Sequence, residues 1–247
     1  MEIDLVNKIG LYEKFLGLNF FVKMKEKLYS IYLMKTKMKK YQIYRPLKRF
    51  FDIFLSLIGI LLLSPVMIIV FIINIFSSHG RPFYVDKRIG RWDRPLGILK
   101  FTSMKKDADT HPEKYLSPEQ MKQWKKERKV PNDPRITRFG KFIRKTSLDE
   151  LPQLFNVFIG QISIVGPRPI TKRELDLNFS KEEREKLLSV KPGLTGNWAV
   201  NGRNACEYKD HKRQNLELEY IDKVSFRTDL KIVLKTFLAV LNFKNTH

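Results

Sequence analysis

Residues 53–76 read IFLSLIGILLLSPVMIIVFIINIF, an uncharged apolar stretch that is long enough to cross a bilayer as a helix. Ser64 and Pro65 lie near its middle, where a proline removes an amide donor and can kink a helix sharply. We therefore expect this stretch to decide how the protein meets a membrane, and with it the fold.

Basic residues flank this stretch on both sides: Lys39, Lys40, Arg45, Lys48 and Arg49 before it, and Arg81, Lys87, Arg88, Arg91 and Arg94 after it. Because positive charge tends to stay on the cytoplasmic side, both ends prefer the same side of the membrane. The sequence thus predicts a segment that enters the bilayer, bends at Ser64-Pro65 and returns. An ordinary proline-kinked spanning helix is the alternative, since membrane helices tolerate proline.

Outward from this stretch, the chain divides into four predicted regions. Residues 1–44 mix apolar side chains with many lysines, which suits helices lying on an anionic membrane surface, and they lack the order of a secretory signal. Residues 45–79 form the membrane helix, and residues 80–225 form a cytosolic domain, which is where a functional site should be sought. Residues 226–247 have apolar positions at helical spacing and predict an amphipathic helix.

Two elements of the cytosolic domain, residues 80–225, are visible in the sequence. Residues 81–101 contain two β-prone runs around a turn rich in Gly, Asp and Pro, which predicts a hairpin. Residues 105–130 are polar and helix-prone and predict a helical excursion on the surface.

Composition restricts the partners of the chain. Its 247 residues carry a formal charge of +21, which indicates an anionic partner such as nucleic acid, a phosphorylated substrate or an acidic lipid surface. A nucleic-acid-binding scaffold would need aromatic residues interleaved with the basic ones, or a known binding motif, and neither is present. Cys206 is the only cysteine, which excludes an internal disulfide framework, and the four histidines lack metal-ligand spacing.

Asp149 and Glu150 are adjacent acids in a basic neighbourhood. One interpretation is a capping box, in which Ser147 caps a helix and Glu150 reaches back to its backbone. The other is chemistry, because a helix start attracts phosphate and carboxylates placed there hold a divalent cation. Arginines suited to gripping phosphate occur in nearby short motifs flanked by Gly or Pro: Arg138, Arg144, Arg168 and Arg203. Acids, arginines and a membrane segment together suggest phosphoryl chemistry on a lipid-linked substrate.

Three segments carry a family resemblance. DPRITRFGKFIRKTSLDELPQLFNVFIGQISIVGPRP (133–169), followed by KPGLTGNWAVNGR (191–203), closely resembles the bacterial sugar transferases, which are monotopic polyprenyl-phosphate sugar-1-phosphate transferases. KRFFDIFLSLIGILLLSP (48–65) looks like the re-entrant membrane helix of that family, with its break at Ser64 and Pro65. The resemblance covers roughly residue 45 to the C-terminus.

The resemblance implies roles for particular residues. Asp149 attacks the β-phosphorus of a UDP-sugar, releases UMP and forms an aspartyl phosphosugar, which undecaprenyl phosphate then takes up. Glu150 helps to hold the metal or handles a proton, and Mg²⁺, bound by Asp149 and Glu150, is the expected cofactor. Four arginines match basic positions at which the family binds its substrate: Arg88, Arg144, Arg168 and Arg203. For each of them, a structural ion pair is the alternative interpretation.

Three positions depart from the family pattern. Thr102 stands in KFTSM where the family often has a basic residue, Ala199 precedes the Val of VNGR where Gln is frequent, and Asp86 replaces a frequent Gln in the hairpin. These departures concern contacts with the donor and leave the acidic pair intact.

We therefore expect an α+β fold, mainly α, with a re-entrant helix, interfacial amphipathic helices and a small globular part that contains a β-hairpin. The expected function is the priming step of exopolysaccharide, capsule or other surface-glycan synthesis, on the cytoplasmic face of a bacterial membrane. The expected partners are a UDP-sugar, undecaprenyl phosphate and anionic lipids, without nucleic acid. The alternatives are a glycosyltransferase that releases UDP and a degenerate family member with an interaction role. The motifs do not define the sugar.

Overall fold

The computed structural model describes residues 19–78, 80–127, 130–202, 208 and 210–241. Its helices are α1 (Asn19–Ser77), α2 (Pro118–Glu127), α3 (Arg138–Lys145), α4 (Gln153–Phe158), α5 (Lys172–Asn178), α6 (Lys181–Leu187), α7 (Asn197–Asn201), α8 (Lys212–Asp222) and α9 (Phe226–Leu241). Its strands are β1 (Phe83–Ile89), β2 (Pro95–Phe101), β3 (Ser163–Val165) and β4 (Gly193–Thr195). The predicted fold class, α+β and mainly α, is confirmed.

Helix α1 has 59 residues and runs without interruption through Ser64 and Pro65. Pro65 has no amide hydrogen to donate to the carbonyl of Leu61, and the Ser64 hydroxyl donates to that carbonyl instead, at 2.8 Å. The helix is thus continuous through Ser64 and Pro65, and the predicted bend at this point stays a prediction. The re-entrant path stays a prediction.

The first half of the apolar helix contacts the globular part. Arg49 donates to the carbonyls of Val157 and Phe158, at 2.7 and 2.6 Å, and so satisfies the C-terminal end of α4. Asp52 is buried and accepts hydrogen bonds from the Ser163 hydroxyl and from the next backbone amide, both at 2.9 Å. Strand β3 is thus fixed directly against α1.

The second half of the same helix contacts the globular part as well. Asn74 donates to the carbonyl of Pro82 at 2.8 Å. Four buried side chains from α1, β2 and α3 form a hydrophobic cluster: Met67, Val70, Phe101 and Ile143. Residues 41–77 are long and apolar enough to cross a membrane by length and composition. The side of the helix that faces away from the globular part exposes large apolar residues: Leu61, Leu62, Ile68, Ile69 and Phe76.

The predicted hairpin is confirmed. Strands β1 and β2 pair antiparallel, with Asp86 opposite Ile98 and Arg88 opposite Leu96. A short 3-10 turn, Arg91–Asp93, joins them. The predicted surface helix is present as α2.

A second, parallel pair joins β3 to β4, with Ser163 opposite Gly193 and Val165 opposite Thr195. The two backbones approach so closely that a Cβ at Gly193 would lie 2.1 Å from the amide nitrogen of Gly166. Only glycine fits at such a position. The parallel pair borders the largest hydrophobic cluster, which includes Tyr41 of α1, Val165 and residues of α5, α6, α8 and α9.

The predicted C-terminal amphipathic helix is present over the described residues as α9. Its buried Asp229 pairs with Lys48 of α1 and accepts a hydrogen bond from Tyr220 of α8 at 2.8 Å. Large apolar residues of α9 are exposed on another side: Phe226, Leu230, Leu234, Phe237 and Leu238. Residues 1–18 and 242–247 of the predicted terminal regions lie outside the described residues, and the division of the chain into four regions stays a prediction.

Candidate active site

Asp149 and Glu150 lie in a 3-10 turn, Leu148–Glu150, between α3 and α4. Ser147 has a left-handed backbone, with φ 56°, and its side chain makes no capping hydrogen bond. The capping-box interpretation is therefore wrong, because Ser147 lacks the extended backbone of a helix cap. The two acids are held by the turn and do not serve as helix caps.

The carboxyl group of Asp149 lies in a mixed electrostatic environment. Burial, followed by the charge of Glu150, raises the pKa of Asp149 to about 6, although Lys100 and Arg144 act in the opposite direction. Asp149 is half-buried, so its carboxylate is only partly hydrated. Above pH 6 it is a charged, poorly solvated group next to two cations, which suits a nucleophile.

Strand β2 brings Lys100 to the acidic pair. Asn156 of α4 holds this strand, since its side chain accepts from the amide of Leu99 at 2.9 Å and donates to the carbonyl of Gly97 at 2.8 Å. Lys100 Nζ then lies 3.3 Å from Glu150 Oε1. Sequence reasoning missed Lys100, although it is the only charged residue in the apolar run LGILKF, which is a usable signal.

The Lys100 contact continues into a series of ion pairs along the hairpin. Lys100 Nζ lies 3.8 Å from Asp86 Oδ2, and the same carboxylate is 2.7 Å from Arg88. Arg88 also pairs with Glu174 of α5, at 3.2 Å. Two carboxylates thus neutralise Arg88. This arrangement fits a structural ion pair, the alternative to substrate binding for this residue. Asp86, one of the departures from the family pattern, links Lys100 to Arg88.

Arg144 and Arg168 differ from Arg88 because both are exposed. Arg144 donates through Nε to the Ser103 hydroxyl, at 2.7 Å, which orients its guanidinium close to Asp149. Neither arginine forms a salt bridge with a carboxylate among the described residues. Their planar donors remain available to a phosphate.

The far wall of the site is built around Arg168 and Trp198. The guanidinium of Arg168 lies 5.2 Å from the centre of the Trp198 ring, and its backbone amide donates to Glu217 at 3.1 Å. The guanidinium of Arg213 lies 4.2 Å from the centre of the Trp198 ring and 4.1 Å from the centre of the Tyr208 ring. Sequence reasoning named Arg168 but missed Trp198 and Arg213, because these residues lie far apart in the chain and only the fold of α7 and α8 brings them together.

Glu217 is the buried acid of this wall. It is 3% exposed, and burial raises its pKa to about 7 in spite of its hydrogen bond with Arg168 and the charge of Arg213. Sequence reasoning missed Glu217, which stands between Leu216 and Leu218 in the run LELEY. An acid at such a position indicates a polar partner in the interior.

One cleft connects these groups. Its lining residues include Asp86, Arg88, Lys100, Glu150, Gln153, Arg168, Gly193, Trp198, Ala199 and Glu217. Three of the predicted site residues, Glu150, Arg88 and Arg168, thus line one cleft. Asp149 adjoins Glu150 in the chain, and the charge of Arg144 acts on Asp149. Arg203 is outside the described residues. Of the other departures, Ala199 lines the cleft, and the buried hydroxyl of Thr102 has no hydrogen-bond partner within the described part of the chain.

The acidic pair fits a particular kind of metal site. The described residues contain no group of three or more His, Cys, Asp or Glu that could enclose an ion. Mg²⁺ usually keeps several waters and binds through one or two carboxylates together with substrate phosphates. Asp149 and Glu150 suit an ion of this type, for which the substrate supplies the other ligands.

Comparison with known proteins gives consistent results. The family described as bacterial sugar transferase matches residues 43–243. The exopolysaccharide production protein ExoY of Rhizobium meliloti is 39% identical over 195 residues, which are 78% of this chain and 84% of that protein. The undecaprenyl-phosphate galactose phosphotransferase of Salmonella typhimurium is 40% identical over 199 residues, 80% of this chain and 41% of that protein. The UDP-glucose:undecaprenyl-phosphate glucose-1-phosphate transferase of Escherichia coli is 39% identical over 197 residues, 78% of this chain and 39% of that protein.

Proposed function

Because this chain belongs to the bacterial sugar transferase family, we propose that it transfers a sugar-1-phosphate from a UDP-sugar to undecaprenyl phosphate and releases UMP. The names of two relatives support the reaction, and the name of a third supports a place in exopolysaccharide synthesis. The chain spans most of ExoY but only about two fifths of the longer relatives. The acidic pair, its cations and the cleft support the priming transfer as the reaction proposed for this chain.

The position of Asp149 carries the proposal for the first step. In this step an Asp149 carboxylate oxygen forms a bond to the β-phosphorus of the UDP-sugar. The bond between that phosphorus and the oxygen bridging to the α-phosphate breaks, and UMP leaves. Lys100 and Arg144 act on the charge of Asp149 from nearby, so they are positioned to stabilise the negative charge that builds on the phosphoryl oxygens.

In the second step a phosphate oxygen of undecaprenyl phosphate attacks the same phosphorus and the bond to Asp149 breaks. The lipid diphosphosugar forms and the carboxylate is regenerated. Mg²⁺ bound by Asp149 and Glu150 would screen the charge between the carboxylate and the diphosphate. Arg168, exposed at the opposite wall of the cleft, would bind the donor phosphates or the nucleotide.

The acceptor requires a membrane-bound site. We propose that α1 re-enters the cytoplasmic leaflet, so that the cleft faces the cytoplasm at the level of the lipid phosphates. The contacts that both halves of the apolar helix make with one globular part support this topology, since a simple crossing would carry one of its flanks away from that part.

Two other functions predict different results. A glycosyltransferase that moves the bare sugar releases UDP and has no use for a nucleophilic carboxylate. A degenerate member would have lost the acidic pair or its cations, whereas Asp149, Glu150, Lys100 and Arg144 are all grouped at the site.

The test uses the full chain in membranes with Mg²⁺, undecaprenyl phosphate and a panel of UDP-sugars, and identifies the released nucleotide. We expect UMP from one donor and a loss of roughly 1000-fold or more in Asp149→Asn. Asp93→Asn is the matched control, because Asp93 is exposed and Asn tolerates its φ of 59°. Without acceptor, intact mass spectrometry should detect the phosphosugar on the wild type and not on Asp149→Asn. Release of UDP would overturn the mechanism.

A further inference from the structure

Four cations gather where α1 meets the ends of α4 and of the hairpin: Arg45, Arg49, Arg91 and Lys191. We call them the basic cluster. A methyl group at Gly160 would lie 3.1 Å from the Arg49 guanidinium carbon and 3.3 Å from Lys191 Nζ, so both charges sit against one glycine. Arg91 belongs to the turn of the hairpin, and its charge and that of Arg45 both act on Lys191. Three separate parts of the chain thus place like charges together.

This proximity has an electrostatic cost. Burial lowers the pKa of Lys191, and the charge of Arg49 lowers it further. Asp52 opposes the effect, but its carboxylate already accepts hydrogen bonds from β3. Within the described part of the chain, no member of the basic cluster forms a salt bridge. The hydrogen-bond partners of its arginines are uncharged, so their positive charge has no paired anion.

Those neutral partners also hold the cluster in place. Arg49 donates to two carbonyls at the end of α4, where the helix dipole is negative. Arg91 donates through Nε to the carbonyl of Ser189 at 3.0 Å and stacks 3.9 Å from the centre of the Trp92 ring. Arg45 is exposed and hydrogen-bonds Gln42 at 3.3 Å. The guanidinium of Arg91 is therefore oriented before any ligand arrives.

The surroundings indicate which anion the cluster binds. Exposed apolar side chains of α1 and of the end of α4 lie beside it in the sequence: Ile43, Leu47, Phe50, Phe54 and Ile159. Trp92 is 58% exposed between Arg91 and Arg94, and tryptophan is enriched at the level of lipid headgroups. A cationic cluster next to an apolar surface matches a ligand with a phosphate at one end and acyl chains at the other.

We propose that the basic cluster is a binding site for the phosphate headgroup of an anionic phospholipid. The site lies at the end of the apolar helix, apart from the residues that line the cleft, and it binds a structural lipid independently of the transferred sugar. This inference does not depend on the proposed transfer reaction, since its readout is lipid binding.

The test measures lipid binding to the purified full chain by native mass spectrometry in detergent. The probes are dioleoyl phosphatidylglycerol, dioleoyl phosphatidylcholine with the same acyl chains, undecaprenyl phosphate and inorganic phosphate. The test variant is the triple R45Q/R91Q/K191Q, which keeps Arg49 because that residue satisfies the end of α4. The matched control is K122Q/K172Q/K181Q, which removes the same charge from exposed positions of α2, α5 and α6.

We expect the wild type and the control triple to bind phosphatidylglycerol in preference to phosphatidylcholine. The test triple should bind phosphatidylglycerol roughly 100-fold more weakly. The single variant R45Q, at an exposed position, should show part of this loss and so guards against misfolding of the triple. Equal losses in both triples, or none in the test triple, would overturn the proposal. A preference of the cluster for undecaprenyl phosphate would overturn it in favour of an acceptor site, and equal competition by inorganic phosphate in favour of a site for free anions.

Discussion

Lys100 contributes to the site through several carboxylates at once. It contacts Glu150 and Asp86, and its charge also lowers the pKa of Asp149. Its side chain is mostly buried, so these interactions are screened less than those of a surface pair. Lys100 therefore acts as a local counter-charge that favours the ionised form of Asp149.

We expect Lys100→Met to reduce UMP release roughly 100-fold or more, because the acidic pair loses its nearest cation and the pKa of Asp149 rises further. The measurement is the initial rate of UMP release at saturating UDP-sugar. Lys87→Met, on the exposed side of the neighbouring strand, is the control and should retain its rate. A fully active Lys100→Met would show that Lys100 has only a structural role.

Glu217 gives a prediction on pH and stability. Its folded-state pKa of about 7 lies above the ordinary value of 4.5, so between these pH values the folded protein holds a proton that the unfolded chain has lost. Raising the pH through this window should therefore lower the free energy of unfolding by about 2–3 kcal/mol. Glu217→Gln remains neutral and should lose this dependence. The measurement is the Tm of the wild type, Glu217→Gln and Glu185→Gln at pH 5 and at pH 8. Glu185 is an exposed glutamate of α6, so Glu185→Gln should behave as the wild type.

At the scale of elements, the short parallel pair of β3 and β4 determines the shape of the cleft. Strand β3 follows α4, which begins just after the acidic pair, and β4 leads into α7, which carries Trp198. Gly193 allows the two backbones to touch, and it also lines the cleft. The distance between the turn that holds Asp149 and Glu150 and the wall that holds Trp198 thus depends on one glycine.

We expect Gly193→Ala to lower the free energy of unfolding by roughly 3 kcal/mol and the Tm by about 6–12 °C, since its methyl group would overlap the Gly166 backbone. Thermal unfolding in detergent measures this change. Gly59→Ala is the control, because its methyl group would meet only the movable end of Leu154, at 3.2 Å. Equal Tm values for both variants would contradict the rigid approach of the two strands.

Comparison of sequence and structure shows where reasoning from residues succeeds. The apolar stretch, the hairpin and the C-terminal helix follow from composition and period, which are local properties. The role proposed for Asp149 and Glu150 comes from motifs and stays a prediction, whereas the local capping rules were wrong because Ser147 takes a left-handed backbone. Lys100, Glu217 and the stacked Arg213 were missed because their importance depends on contacts between distant parts of the chain.

At the scale of the whole molecule, the charge of +21 and the packing of α1 fit the proposed attachment to an anionic membrane. Both halves of the apolar helix contact the globular part, while its opposite side exposes large apolar residues. This distribution fits a helix that enters one leaflet and leaves from the same side.

We expect cysteines placed at Ile43 and Arg81, on the two flanks of the apolar helix, to react with an impermeant maleimide from the same side of the membrane. The variants would carry Cys206→Ser, and a cysteine at Lys181 in the globular part would identify the cytoplasmic side. Labelling of inverted and right-side-out vesicles distinguishes the topologies. Reaction of Ile43→Cys and Arg81→Cys from opposite sides would establish a spanning helix instead.

The buried contacts of α1 also limit how this enzyme can be divided. Tyr41, Met67 and Val70 belong to hydrophobic clusters of the globular part, and Lys48 is the partner of the buried Asp229. Deletion of residues 1–79, in search of a soluble fragment, would remove part of the core and leave the buried carboxylate of Asp229 without its cation. Recombinant production, crystallisation and inhibitor screening therefore need the intact chain with a lipid or a detergent, because here the apolar helix is itself part of the folded domain.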